Sequence, residues 1–452
     1  MKVLYISSIE KLFSDKTIHK TFLVIGLVIT MAFSFLMPFF NEPDGQYHLA
    51  VSGRIANNII DTSKYGEYDI ISGMKSQKDS YKDGTRFEKY YLNKASFISW
   101  KDAPREVSYS LINFVYWGHV IPAIGLKIGQ LIYPSMGVMI TFARLFTSFI
   151  SIIAITFIIK SLKNAKMIFF AVFLSPVALN SFASLSYDAT GFVLTAWLVA
   201  QLINILSDRE ISQKRIIILA LTAFLVLLGC KQNYWLILGL IPIVLLTTNH
   251  AKANELKKKA LSLLEKVTKS WLLKIGIALV LFAGLYLATR SHGGLLVVIR
   301  RYLMTFGYNY SGTRLLSNDI TSWLAAPYPT YNYIPTWVSA VWYLMIFSVL
   351  FTEKKFISSS KIGILFLATF FIGIFGVYFI MLEYNGARTS YIEGVQGRYF
   401  TPTIVLLQVF VANLKTKIVQ SQVKIVPLAL LSLVLVSNVL LLFDTVISLI
   451  LR

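Results

Sequence analysis

Charge is what this chain has least of. Only 14% of its 452 residues are charged, where a soluble domain carries roughly a quarter. Cysteine is scarcer still: the single Cys230 cannot make an internal disulfide and fits no metal or redox spacing. The phosphate-cradling G-x-x-x-x-G-K-[ST], the dinucleotide G-x-G-x-x-G and the zinc-protease H-E-x-x-H patterns are all missing. These absences exclude secreted disulfide scaffolds, soluble Rossmann enzymes, motor ATPases and zinc proteases. No repeat of about 20–50 residues and no strong inverted repeat is visible.

Apolar residues are abundant instead, at 56% with a mean hydropathy of +0.65. Runs of about 15–25 of them recur from end to end, the pattern of an all-α integral membrane protein. Lys+Arg 43 against Asp+Glu 22 gives +21. In a soluble protein that excess would suggest nucleic acid. Here it reads as the collection of Lys and Arg in cytoplasmic loops, with bilayer lipid and not nucleic acid as the partner.

Residues 1–20 carry Lys2, Lys11, Lys16 and Lys20 ahead of the apolar run Thr21 to Phe40. No small-residue cleavage site follows, so the run is expected to stay as an anchor with its N-terminus inside. Further spans are expected near 136–160, 167–183, 189–206, 216–230, 233–248, 271–289, 335–352, 362–384, 399–414 and 425–447. That makes about eleven crossings in one membrane domain. The segment 111–133 is apolar but interrupted by Gly118, Pro122, Gly125, Lys127 and Gly129. Treating it as interfacial or re-entrant keeps every later basic loop inside, among them Lys160/Lys163/Lys166 and Arg209/Lys214/Arg215. The first outer loop then covers 41–135, with interfacial helices, and a second large one covers 290–334. The turn at 184–189, Lys231 and the loop 385–398 face the same outer side.

Chemistry is expected on that side. Asp44, in Asn41-Glu42-Pro43-Asp44-Gly45-Gln46-Tyr47-His48, follows the first span. Tyr47, Val51, Ile55 and Ile59 share an i,i+4 row, which reads as a surface helix beginning at Asp44. Its carboxylate either caps that helix or takes a proton from a sugar hydroxyl. Asp188 faces the same choice at the start of its span: a cap, or a second carboxylate for a metal or an acceptor. Arg144 lies roughly 12 Å into its span and calls for a partner or a snorkelling route. Lys231 and Arg398 sit at outer helix ends, where they either snorkel or meet an anion.

At these residues the sequence resembles a bacterial family of multi-pass membrane proteins grouped with the GT-C glycosyltransferases. The family's first outer loop reads Pro-Asp-Glu-x-x-His; Pro43, Asp44 and His48 match, with Gly45 in place of Glu. Ser175-Pro176, Ser186-Tyr187-Asp188-Ala189 and Lys231 with Tyr234 are similar in the same order. Gly394-Val395-Gln396-Gly397-Arg398-Tyr399-Phe400 with Pro402 is the most specific stretch.

The resemblance implies a GT-C-like fold and a hexosyltransferase or similar enzyme in the bacterial cytoplasmic membrane. It would work at the outer face, moving a sugar from a polyprenyl-phosphate donor such as undecaprenyl phosphate. The acceptor would be a cell-envelope glycan such as O-antigen, teichoic acid or another surface polysaccharide. Asp44 would be the base, Asp188 and His48 acceptor or metal ligands, and Lys231, Arg398 and Arg144 the donor-phosphate site. No cofactor is demanded, and a divalent cation, Mg or Mn, stays open. A transporter or flippase of lipid-linked glycan and a non-catalytic assembly subunit are the rival readings; a transporter would be expected to show a repeat and broken midplane helices.

Overall fold

A computed structural model of the chain describes residues 11–65, 82–102, 107–249, 255, 258–259, 262, 265–266, 268–307, 321–328, 334–353, 355–357, 359–384, 386, 390–414 and 425–451. Parts of the two expected outer loops therefore lie outside the described residues. In chain order, α1 (Ile18–Leu36) is followed by α2 (Gly45–Ile55). Strand β1 (Ile59–Ile60) pairs antiparallel with β2 (Phe97–Ile98) in the register Ile59↔Ile98 and Ile60↔Phe97. Then come α3 (Phe114–Ile132), α4 (Met136–Ser161), α5 (Lys166–Phe173), α6 (Pro176–Phe182), α7 (Asp188–Asp208) and α8 (Gln213–Gly229). The later helices are α9 (Trp271–Arg290), α10 (Leu295–Tyr302), α11 (Thr336–Leu350), α12 (Ser360–Ile380) and α13 (Ile425–Leu451).

Among the described residues, six helices are long and apolar enough to cross a bilayer: α1, α4, α7, α9, the α12 segment and α13. Each corresponds to an expected crossing. The other five expected runs are helical but short or broken. α8 has 17 residues and α11 has 15, roughly 22–26 Å of rise against a core of about 30 Å. The run 167–183 divides into α5 and α6, because Ser175 caps α6 and Pro176 occupies its first turn. Runs 233–248 and 399–414 contain 3₁₀ stretches at Gln232–Gly239 and Thr401–Leu406, near Pro242 and Pro402. Proline removes a backbone donor and ends regular winding. The α5–α6 break is enclosed by protein, since every residue of α6 is buried. That is where irregular backbone at membrane depth is tolerated.

Small side chains set the closest packing. A Cβ on Gly26 would lie 2.8 Å from Ile152, so α1 and α4 nearly touch. Along α3, Gly125 and Gly129 lie one turn apart. A Cβ at either would come within 2.7 Å of the α4 backbone at Ala143 and Met139. Gly125 and Gly129, two of the residues that interrupt the apolar run 111–133, thus form the face on which α4 lies. Another face of α3 exposes Trp117, Ile124 and Leu131. The helix buries its small residues and presents its large apolar ones, which suits a lipid-facing surface better than a watery one.

The bundle has two chemically different ends. At one, Lys163 and Arg215 pair with Asp208, and Lys166 with Asp15. These are the basic residues expected inside. At the other end the exit of α1 meets the α6–α7 turn: Asn41 donates to Asn180 and the Leu185 amide to Glu42. Both ends of α3 lie there, its beginning against Tyr187 and its last turns along the start of α4. α9 is exposed along almost its whole length and meets the body at α10.

Candidate functional site

Three residues brought together from distant parts of the chain form the centre. Asp188 opens α7, Lys231 precedes the 3₁₀ stretch after α8, and Arg398 sits in the turn Gly397–Tyr399. Lys231 Nζ is 2.9 Å from Asp188 Oδ1 and Arg398 Nε is 3.0 Å from Oδ2. Asp188 and Arg398 are each 2% exposed. The immediate cluster therefore holds two cations on one carboxylate, shielded from water. Burial works against the Arg398 charge, but Asp188, with Tyr399, Tyr187 and Asp44 behind it, holds the guanidinium above its ordinary pKa. Its Nη2 has no hydrogen-bond partner among the described residues. The Lys231 ammonium lies 4.4 Å from the Tyr187 ring centre and 4.0 Å from that of Tyr399. It points inward, towards Asp188, and not out towards a membrane surface.

Each oxygen of Asp188 thus faces a cation. Its side chain does not cap α7. The Gly397 amide donates to Ser322 Oγ at 2.7 Å.

Asp44 stands at the N-cap position of α2 in the left-handed region, φ 57° and ψ 27°, and its side chain makes no capping bond. Aspartate tolerates that conformation better than most residues. The carboxylate is half-buried and makes no ion pair among the described residues. Its charge nevertheless acts on Tyr187 and Arg398. The row expected from Tyr47 to Ile59 is cut short: α2 ends at Ile55, and Ile59 belongs to β1. Gly45 has a steric reason. A Cβ there would lie 2.7 Å from Phe40 Cα, and Phe40 is itself left-handed, with φ 61°. This turn has no room for the family's glutamate.

His48 is fully enclosed, with Nδ1 2.8 Å from Nε2 of His119 on α3. His119 Nδ1 in turn faces the Val115 carbonyl. Burial, then His119, Arg398 and Lys231, lower the His48 pKa well below normal, and burial takes His119 to about 4. Two neutral imidazoles thus tie α2 to α3 through His48 Nδ1 and His119 Nε2. Arg144 is held at the exit of α1. It is 0% exposed, donating to the carbonyls of Met37 and Pro38 at 2.9 and 2.8 Å and to Asn41 at 3.2 Å. Glu42 lies 3.6 Å away. Arg144 fastens the exit of α1, having found the partner its depth demanded. No group of three His, Cys, Asp or Glu able to hold a metal occurs among the described residues.

Glu42, His119, Tyr187 and Tyr399 were not singled out from the sequence. The tyrosines adjoin Asp188 and Arg398 within the motifs quoted above. His119 is the one histidine inside the interrupted apolar segment 111–133, which was the available signal. Glu42 lies two residues before Asp44, and nothing local marks it as the partner of Arg144.

The family model for predicted membrane proteins DUF2142 matches residues 27–407, and the chain belongs to that family. No curated protein and no solved structure matches it.

Proposed function

We propose that this DUF2142 membrane protein is a glycosyltransferase of the GT-C kind, using a polyprenyl-phosphate sugar to extend a cell-envelope glycan. The reading places its site at the extracytoplasmic face of the bacterial inner membrane, where nucleotide sugars are not available. The observation that carries it is the buried Asp188 between Lys231 and Arg398, with the free carboxylate of Asp44 on the same end. In this reading an acceptor hydroxyl attacks the sugar's C1. The bond from C1 to the phosphate oxygen breaks, its electrons leave on the phosphate, and the hydroxyl proton passes to Asp44. Lys231 and Arg398 oppose the charge growing on the phosphate. Asp188 positions both cations without touching substrate. His48 and His119 hold the helix that carries Asp44.

Replacing the carboxylate by an amide would leave the turn intact, because the Asp44 side chain caps nothing. Asp44→Asn should therefore express and fold normally while sugar transfer falls by about 10²–10⁴-fold, the usual contribution of a general base. Full activity in that variant, measured as transfer from a polyprenyl-phosphate sugar by purified protein, removes the catalytic assignment.

A further inference from the structure

The helix α10 is built inside out. Its buried side is polar: Arg301 donates to the carbonyls of Leu382 and Tyr391 at 2.9 and 3.2 Å. One turn on, the Thr305 hydroxyl accepts the Ile392 amide at 2.9 Å. Its outer side is apolar. Leu296, Ile299 and Leu303 fall on one face at i, i+3 and i+7, and all are exposed, Leu296 by 82%. A contiguous apolar face of this kind marks a contact surface. The helix also stands where the spans end. It follows α9, a candidate span exposed along nearly its whole length, and Gly293 and Gly294 turn the chain between them with φ of 90° and 93°. At its far end Tyr302 donates to the Phe375 carbonyl, and the Phe306 ring stands 4.6 Å from that of Tyr378. Phe375 and Tyr378 belong to the last turns of α12, a second candidate span.

From these observations we infer that α10 is an interfacial helix that binds an anionic lipid surface, at the end of the bundle where α12 meets Lys231. Leu296, Ile299 and Leu303 enter the boundary between hydrocarbon and head groups, while Arg290 and Arg300 meet lipid phosphates. The arginines decide between occupants. Both are exposed, and Arg300 lies on the apolar face itself, four residues after Leu296 and three before Leu303. The dry centre of a contact with a second copy or another protein would bury that guanidinium at a heavy desolvation cost. The bilayer core would do the same. At head-group depth the leucines reach hydrocarbon while the guanidinium extends to phosphate. Neither arginine forms an ion pair among the described residues, so a head group of net negative charge supplies the missing partner. The buried side of the same helix holds Tyr391 and Ile392, just ahead of Arg398 in the chain. One helix therefore joins the lipid surface to the loop that carries part of the charged cluster. The inference concerns contact with lipid alone and stands apart from the transferase reading.

The test uses the full chain in nanodiscs, with Ile299→Cys carrying an environment-sensitive fluorophore and Cys230→Ala removing the native thiol. Phosphatidylcholine bearing a nitroxide near the glycerol end of its acyl chain should quench the label, and aqueous iodide should not. Phosphatidylglycerol bearing the same nitroxide should reach equal quenching at roughly one-fifth of the mole fraction, the enrichment expected from about 1 kcal/mol per basic residue at an anionic surface. Arg290→Gln with Arg300→Gln should erase that difference and leave the quenching itself in place. Quenching by iodide and not by lipid puts the face in water and overturns the inference. Shielding from both quenchers means that protein covers the face, and overturns it as well. Equal quenching by the two nitroxide lipids removes the anionic surface. These three outcomes are read with both arginines in place, at a position already exposed, so none waits on a variant of the buried side. A preference for phosphatidylglycerol that survives the loss of both arginines overturns their assignment to lipid phosphate.

Discussion

The pair Arg144 and Glu42 offers the sharpest physical test of how the site is framed. Both side chains are at most 4% exposed, with 3.6 Å between them. Arg144 also donates to two backbone carbonyls and to Asn41. The two halves are therefore unequally dependent on each other. Arg144→Leu strands the Glu42 carboxylate, whose remaining hydrogen bond among the described residues is a long 3.5 Å one from the Leu185 amide. It also frees the Met37 and Pro38 carbonyls. Removing one partner of a buried pair typically costs about 3–5 kcal/mol, roughly two to four decades in the folding equilibrium. Glu42→Gln leaves the guanidinium on its three oxygen acceptors and should cost less, about 1–3 kcal/mol. Reversible unfolding in mixed detergent micelles, by SDS titration, measures both. A double variant, Arg144→Leu with Glu42→Leu, should be more stable than the sum of the two single leucine changes, since no lone charge remains. If Arg144→Leu costs no more than Glu42→Gln, the pair does not hold the exit of α1 and the reasoning fails. Transfer activity gives a separate check, because folded Glu42→Gln should keep most of it.

Other outcomes are equally definite. Arg398→Lys keeps the charge but loses the planar fork that can grip two phosphate oxygens, so transfer should fall at least about tenfold at matched protein levels; a silent variant would reduce Arg398 to a structural cation. Gly45→Ala should destabilise the first loop by about 1–3 kcal/mol, as a methyl group forced against the Phe40 backbone would, and a wild-type unfolding midpoint would refute that steric account. A cysteine introduced at exposed Ser99 should label with an impermeant reagent in spheroplasts while one at Ser359 should not. The reverse pattern would invert the proposed orientation.

Much of the helical layout was legible because apolar runs have a length scale of their own. Six of the expected crossings appear as full-length helices. In three of the five runs that depart, the cause is local: Pro176, Pro242 and Pro402 fall within runs whose hydropathy alone looks continuous. The site was legible as a set of residues but not as a geometry. Asp188, Lys231 and Arg398 stood out at helix ends, yet a one-dimensional pattern cannot say that the first would be held by the other two. Arg144 shows the opposite case. Its depth announced a partner, but the partner is mostly backbone carbonyl, which no side-chain pattern encodes. Asp44 resembled a cap by residue type, whereas its left-handed backbone places the carboxylate where it caps nothing.

The clamp on the exit of α1 also bears on the order in which a nascent chain becomes competent. The carbonyl of Met37 waits for a guanidinium 107 residues further on. At about 5–20 residues per second, that is roughly 5–20 s during which Asp44 has emerged without the anchor that sets its direction. The cations around Asp188 come later still, Arg398 among the last elements to be made. A ribosome-bound fragment would thus carry the proposed base unframed and without the cations proposed to oppose a leaving phosphate. Translation itself would act as a timer, keeping the site silent until nearly the whole polypeptide has entered the bilayer.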